Sequence, residues 1–353
     1  MNMDKKKKVL VWMSGGVDSA VSAYLLLQQW YEVVAGFMKN YADESNPNCH
    51  TREDRDMAIK VAQHLGIKTF VIFDFREEYD QKIIQYIYDG YLAGLTPNPD
   101  VLCNSEIKFK LFLEKAMELG CDFVATGHYA QLEKTGEMVK LLRWVDETKD
   151  QSYFLAWLNQ YQLNHSLFPI GGMLKSEVRA LATEIWLPNA DRKDSQWLCF
   201  IWKVPMVDFL KKALPVKQGE IVDQTGKKLG YHDGAWFYTI GQRHGIKLHQ
   251  QYYVVSTDVK KNIVVVDTKE QAELSRNFLF VEQWHWIGEE LAFPLKCEVK
   301  IRYRQQPHNA LLTSDGDGRI KILCEEEQRA IAPGQVVAAY LGQELIGSGI
   351  IVE

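Results

Sequence analysis

The sequence predicts a mixed α/β chain: a Rossmann-like parallel-sheet domain over residues 1–205, a small β-rich domain over 206–277, and a β-barrel over 278–353. Three observations predict it. An apolar run, Val9 to Val11, enters the small-residue stretch Ser14-Gly15-Gly16-Val17-Asp18-Ser19 and then a helical pattern from Ala20 to Gln29. Short apolar runs alternate with helical ones as far as about residue 205, the pattern of parallel strands covered by helices. Beyond 278, Cys297, Val299, Ile301 and Tyr303 alternate with Lys296, Glu298, Lys300, Arg302 and Arg304, giving one buried and one charged strand face.

The first strand, loop and helix make an anion site. Trp12 and Met13 lead into a turn whose two glycines let the backbone approach phosphate oxygens, and the helix that follows presents free N–H groups. Ser14 and Ser19 add hydroxyls, and Asp18 is placed to cap the helix or to hold a magnesium ion. No lysine closes the loop, so it is not the common G-x-x-x-x-G-K-[ST] pattern. Further strands are expected at Val33–Met38, Thr69–Phe73 and Phe123–Ala125, and helices at Glu53–Leu65 and Lys108–Leu119. In such a sheet ligands sit at the carboxyl ends of the strands. Loops beginning at Met38, at Gly127-His128-Tyr129 and at Pro97-Asn98-Pro99-Asp100 fall on that same edge.

Thr96-Pro97-Asn98-Pro99-Asp100-Val101-Leu102-Cys103-Asn104 places a carboxylate and a thiol in one stiffened segment. With a helix starting near Ile107 and Lys108 and Lys110 close by, Cys103 is placed to react as thiolate; the competing reading is a buried structural cysteine. A second cysteine, Cys199, follows the polar turn Lys193-Asp194-Ser195 at the far end of the same domain, and two such cysteines suggest a thiol relay. In the middle domain, Gly219–Asp223 and Lys228–Gly230 flank Gln224-Thr225-Gly226 as a hairpin, after a short helix over Met206–Leu214. Gly316, Gly318, Gly334 and Gly342 punctuate the last domain as barrel turns.

Composition narrows the class. The 353 residues carry a net charge of −5, so nucleic-acid binding has to come from local basic patches. The six cysteines are scattered without a C-x-x-C pair, which argues against zinc and a secreted disulfide scaffold and for a reducing cytoplasm. No stretch is apolar for long enough to span a bilayer, and Lys5 to Lys8 is not followed by a leader-like run, so neither a membrane nor secretion is expected.

S-G-G-V-D-S resembles the pyrophosphate loop of ATP pyrophosphatases. Together with T-P-N-P-D-V-L-C-N, A-T-G-H-Y-A, K-D-Q-S-Y-F-L, D-S-Q-x-x-C-F-I and Y-T-I-G-Q-R, in order along essentially the whole chain, it resembles the bacterial tRNA-specific 2-thiouridylase family. The resemblance implies ATP, with a magnesium ion, on Trp12, Met13, Ser14, Gly15, Gly16, Val17, Asp18 and Ser19, and Met38 and Gly127 near the adenine and ribose. It implies that Asn98, Pro99 and Asp100 surround the target base, the wobble uridine U34 in the anticodon region of tRNA, with Asp100 as general acid/base. It further implies that Cys199 receives a persulfide sulfur from a donor protein, and that Cys103 attacks it and closes a transient Cys103–Cys199 disulfide. His128, Lys149, Asp150, Gln151, Arg302, Tyr303 and Gln335 would contact the tRNA. Adenylating the C2 oxygen of a urea-like carbonyl supplies the leaving group that sulfur needs. Two readings compete: another ATP-adenylating tRNA-modifying enzyme, which has no use for paired cysteines, and an inactive nucleotide- or RNA-binding paralogue.

The chain departs from that family in one repeated way. Trp12, Trp30, Trp144, Trp186, Trp197 and Trp202 stand where the family pattern has glycine. Drift would replace glycine by many residue types, and a glycine at positive φ or under a close contact does not tolerate an indole. Overpacking of roughly 1–3 kcal/mol is expected per site. The expectation is that these are glycine codons, UGA, read as tryptophan; TGG codons at the six positions would sink it.

Overall fold

A computed structural model of the chain describes residues 6–41, 51–145, 149–193, 205–246, 248–268 and 275–352. Its first unit is built on β1 (Lys8–Trp12), whose Val9, Leu10 and Val11 are fully buried, as a strand covered on both faces requires. After β1 come α1 (Val17–Gln28), β2 (Glu32–Lys39), α2 (Thr51–His64) and β3 (Thr69–Asp74). A long helical segment, α3, runs as Arg76–Tyr79, a π-helical Asp80–Ile84 and Gln85–Leu92. Another, α4, runs as Pro99–Cys103, a π-helical Asn104–Leu111 and Phe112–Glu118. The unit goes on with β4 (Phe123–Ala125), a hairpin of β5 (Gln131–Thr135) and β6 (Met138–Leu142), two short helical turns over Ser152–Leu155 and Gln160–Asn164, β7 (Ser166–Leu167) and α5 (Lys175–Glu184). The sheet order is β3-β2-β1-β4-β7, every pairing parallel. β1 is therefore central, and its loop opens at the carboxyl edge.

One expected boundary moves. The helix carrying Cys103 begins not near Ile107 but at Pro99, so Cys103 lies inside a continuous helical run rather than ahead of an N-terminus. The reason is local. Asn98 caps the helix, its Oδ1 accepting from the Val101 N–H at 3.3 Å, and Pro99 takes the first turn, where a missing N–H costs nothing.

The middle segment holds β8 (Gly219–Val222), β9 (Lys228–His232), β10 (Tyr253–Asp258) and β11 (Ile263–Asp267) in the order β10-β11-β8-β9, with the expected β8–β9 hairpin antiparallel. The helix before it is short, Met206–Leu210. The last segment holds β12 (Ser275–Trp286), β13 (Leu295–Lys300), β14 (His308–Ser314), β15 (Ile320–Arg329), β16 (Val336–Leu341) and β17 (Glu344–Ile351). β12 pairs with both β15 and β17 and closes these six strands into a barrel. The β5–β6 hairpin adds to it from the first unit, Leu141 pairing with Leu345 and Leu142 with Glu344. Charges are buried at this junction only in partnership. Lys300 lies 3.6 Å from Asp150, and Arg143 reaches Glu298 at 3.0 Å and stacks on Tyr340 at 4.0 Å.

Helices α1 to α5 all end in one motif. The N–H of a left-handed residue bonds the carbonyl three back, and the next N–H bonds the carbonyl five back. Gly66, Gly94 and Gly120 occupy the left-handed position of α2, α3 and α4 at φ of 69°, 77° and 68°. Trp30 and Trp186 occupy it after α1 and α5 at φ of 64° and 56°. Their indoles are 74% and 83% exposed, so nothing is overpacked there; the strain expected at these two positions lies in the backbone alone. Overpacking does not hold for Trp144 either. Its ring is 1% exposed, its Nε1–H donates to the Met173 carbonyl at 2.8 Å, and it packs against Tyr129. Trp197 and Trp202 lie outside the described residues.

Candidate active site

The loop after β1 is held in place by residues far along the chain. Gly15 adopts φ +80°, and a Cβ there would fall 2.5 Å from the Asp54 carbonyl oxygen. Its carbonyl accepts from Asn189 Nδ2 at 3.0 Å and from Arg192 at 3.1 Å, while Arg192 also pairs with the Asp54 carboxylate. The Ser14 N–H donates to Ser19 Oγ at 3.2 Å, and Ser19 Oγ donates to the Gly16 carbonyl at 3.0 Å. Gly16 is the N-cap of α1 and no side chain caps it, so the first turn has N–H groups to offer an anion. Met13 and Val17 are buried beneath the turn, and Met38 is buried at the end of β2.

Asp18 does not cap the helix. Its carboxylate takes a hydrogen bond from the Tyr129 hydroxyl at 2.8 Å and an ion pair from Lys175 Nζ at 2.7 Å. The cation that the loop lacks in sequence thus arrives from the first turn of α5. Gly127 packs against the same turn, where a Cβ would lie 2.9 Å from the Asp18 backbone carbon and the Ser19 nitrogen. Only a glycine lets the exit of β4 come so close. A donor set of backbone N–H groups, hydroxyls and Lys175 fits a polyphosphate. For a magnesium ion, Asp18 is the carboxylate at the loop and is already neutralised by Lys175, and no group of three or more metal-ligating side chains occurs among the described residues.

The second wall is the start of α4. Asn98 Nδ2 reaches Tyr153 Oη at 3.4 Å and Gln335 Oε1 at 3.5 Å, and Gln335 Nε2 donates to the Thr96 carbonyl at 2.8 Å. Gln335, expected at the tRNA, is in place as a brace from the barrel onto the Pro97–Pro99 loop. Asp100 and Cys103 lie three residues apart on one helical face. Burial raises the Asp100 carboxyl from its ordinary value to about 6, against the downward pull of the Lys108 charge. Cys103 is 4% exposed. His128 is buried against Phe109 and Phe168 with its Nδ1 2.7 Å from Thr126 Oγ1, and burial, with the Lys108 charge, holds it well below its ordinary pKa and therefore neutral.

The remaining expected positions separate. Lys149 is exposed, Gln151 is half-buried with its Oε1 accepting from the Tyr129 N–H at 2.9 Å, and Asp150 is buried. Asp150 binds the Trp144 and Ser152 N–H groups as well as Lys300, so its carboxylate organises the junction with the barrel instead of facing an RNA. The Arg302 guanidinium donates to the carbonyls of Arg329 and Ala330, and Tyr303 packs on Phe154 at 4.1 Å between ring centres. Cys199 lies outside the described residues. Sequence reasoning missed Lys175, Asn189 and Arg192, more than 150 residues from the loop they hold, as the separations of the Asp18 and Gly15 contacts record.

Three family models match in order: the tRNA methyl transferase HUP domain over 7–203, the tRNA methyl transferase PRC-barrel domain over 207–268 and the aminomethyltransferase beta-barrel domain over 276–351. The chain is 42% identical to the tRNA-specific 2-thiouridylase MnmA of Bacillus subtilis, covering 98% of this chain and 94% of that protein. The proteins of that name from Bacillus licheniformis and Lysinibacillus sphaericus are each 44% identical at the same coverage.

Proposed function

The chain belongs to the tRNA-specific 2-thiouridylase family, a family of tRNA sulfurtransferases, and from that premise we propose how its own residues divide an ATP-dependent thiolation of the wobble uridine. The observation that carries the reading is the meeting of two walls. The anion loop of β1 stands beside a helix that carries a carboxylate of raised pKa and a thiol on one face.

The loop and the first turn of α1 hold the β- and γ-phosphates, and Gly127 and Met38 receive the nucleoside. A magnesium ion would neutralise the polyphosphate when bound. Asn98 and Pro99 bracket the uracil, and Asp100 takes the N3 proton as the uracil O2 attacks the α-phosphorus. The O2–P bond forms, the bridging bond to the β-phosphate breaks, and pyrophosphate leaves with the electron pair. The terminal sulfur of a Cys199 persulfide, supplied by a donor protein, then attacks C2 and AMP departs. Finally the Cys103 thiolate attacks the Cys199 sulfur, the S–S bond breaks with its pair going to the transferred sulfur, and a Cys103–Cys199 disulfide remains for a thiol reductant to reopen. Lys149 on the exposed surface suits a tRNA phosphate.

The test is retardation of anticodon-containing tRNA in a mercury-containing gel after incubation with ATP and a persulfide donor. Retardation is expected only when ATP is present; ATP-independent sulfur transfer overturns the reading. The Asp100 role makes a pH prediction. Its base form exists above about 6 and disappears below it. Single-turnover pyrophosphate release therefore falls about tenfold per unit at more acid pH, and Asp100→Asn removes that limb along with most of the rate. A wild-type profile flat from about pH 5 to 8 would remove Asp100 from the proton transfer.

A further inference from the structure

Lys108 is a buried residue whose ammonium has an aromatic face, and no carboxylate, as its partner among the described residues. Its side chain is 5% exposed, inside the π-helical stretch of α4, and it makes no hydrogen bond or ion pair with any described residue. The other buried cations among the described residues each lie within ion-pair distance of a carboxylate, Lys300 of Asp150 and Arg143 of Glu298. On the same helix the acid Glu106 is already shared by Lys82 and Lys110. An indole face offsets only part of the cost of holding a charge in a largely buried position, and an anion bound there would complete the match.

The position says what binds. The ammonium lies 4.4 Å from the ring centre of Trp12, the last residue of β1 before the anion loop. Its field reaches Asp100 on its own helix and His128 at the exit of β4. His128 is neutral and Asp100 is beyond ion-pair distance, so neither cancels it. Lys108 thus stands between the loop that takes the outer phosphates and the carboxylate that faces the base. In an adenylation geometry that point belongs to the α-phosphate.

We propose that Lys108 is a catalytic cation that contacts the α-phosphate oxygens of ATP while the uracil O2 attacks, an inference that rests on the adenylation reading above. Lys108 gives and takes no proton in this step. Its fixed charge meets the negative charge that builds on the phosphoryl oxygens as the O2–P bond forms and the bond to pyrophosphate breaks, an interaction stronger in the transition state than in the ground state. The indole of Trp12 now covers the ammonium, and a glycine at position 12 would open that face to the nucleotide.

The experiment uses the full chain carrying Lys108→Met or Lys108→Arg, each also in a Trp12→Gly background, with ATP and tRNA. Equilibrium dialysis reads ATP affinity, rapid quench reads pyrophosphate release at saturating ATP, and a melting curve reads the fold. Lys108→Met is expected to slow release by ~10²–10³-fold, to keep a melting temperature no lower than the parent's, and to leave tRNA affinity unchanged. Lys108→Arg is expected to recover part of the rate. Release at the parental rate in Lys108→Met, or an equal loss in both variants with lowered melting temperatures, overturns the inference. Parental protein that binds ATP but never releases pyrophosphate overturns the adenylation reading instead; unchanged ATP affinity in Lys108→Met then overturns the contact as well.

Discussion

Replacing Cys103 by serine abolishes sulfur transfer to tRNA, by at least ~10³-fold, while pyrophosphate release continues. As proposed, the two steps use different groups on the same helix. In the mechanism proposed above, adenylation uses the loop of β1, the carboxylate of Asp100 and the charge of Lys108, and serine at position 103 replaces none of them. Serine keeps the size of the side chain, so a residue 4% exposed is exchanged without a cavity. What it removes is a group able to ionise and attack sulfur. Among the described residues no other thiol is placed to substitute. Burial pushes Cys297 up to about 12 and Cys324 up to about 11, which keeps both protonated inside the barrel, and Cys121 is raised by burial too. Alanine at Cys297 or Cys324 therefore leaves transfer in place. The mercury gel and a pyrophosphate assay, run on the same samples, separate the steps. A Cys103→Ser protein that still thiolates tRNA would place the attacking thiol elsewhere.

The parts of this site that lie close together in sequence were legible from it. The loop from Met13 to Ser19 announces itself because two glycines, two hydroxyls and a following helix are contiguous, and the strand before it is apolar on both faces. Asn98-Pro99 also carries the signature of a capped helix start, yet the paired prolines read more naturally as a stiff loop, and the onset was placed eight residues late. What could not be read is what arrives through the fold. Lys175 reaches Asp18 because α5 packs beside α1, and no spacing in the chain encodes that. Gln335 and Asp150 were expected at the RNA because the family resemblance implies it. The barrel closing onto the β5–β6 hairpin turns them inward, Gln335 as a brace on the loop before α4 and Asp150 as the partner of Lys300. Polarity says that a side chain needs partners; only the tertiary arrangement says whether those partners are water, RNA or the protein.

Replacing Trp30 and Trp186 together by glycine stabilises the protein by about 2 kcal/mol, a rise in melting temperature of roughly 4–8 °C for the first domain. The chain supplies its own controls. The same helix-ending motif closes α2, α3 and α4 with glycine and closes α1 and α5 with tryptophan, at φ values within about twenty degrees of one another. At Gly66 and Gly120 an added Cβ would meet nothing within 4 Å, so the glycine preference of the motif there is conformational, not steric. An L-residue with a Cβ pays about 1–2 kcal/mol for a left-handed backbone, and part of that gain is returned through the greater freedom of glycine in the unfolded chain. The exposed indoles bury too little to offset it. Alanine at both positions is the discriminating variant: it removes the rings but keeps the Cβ. If alanine stabilises as much as glycine, the cost lay in the exposed rings and the backbone argument fails. If glycine alone stabilises, the fold asks for glycine at positions 30 and 186 as it does at 66, 94 and 120, and peptides of the protein purified from its own source should carry glycine there, the result expected of UGA codons read as glycine.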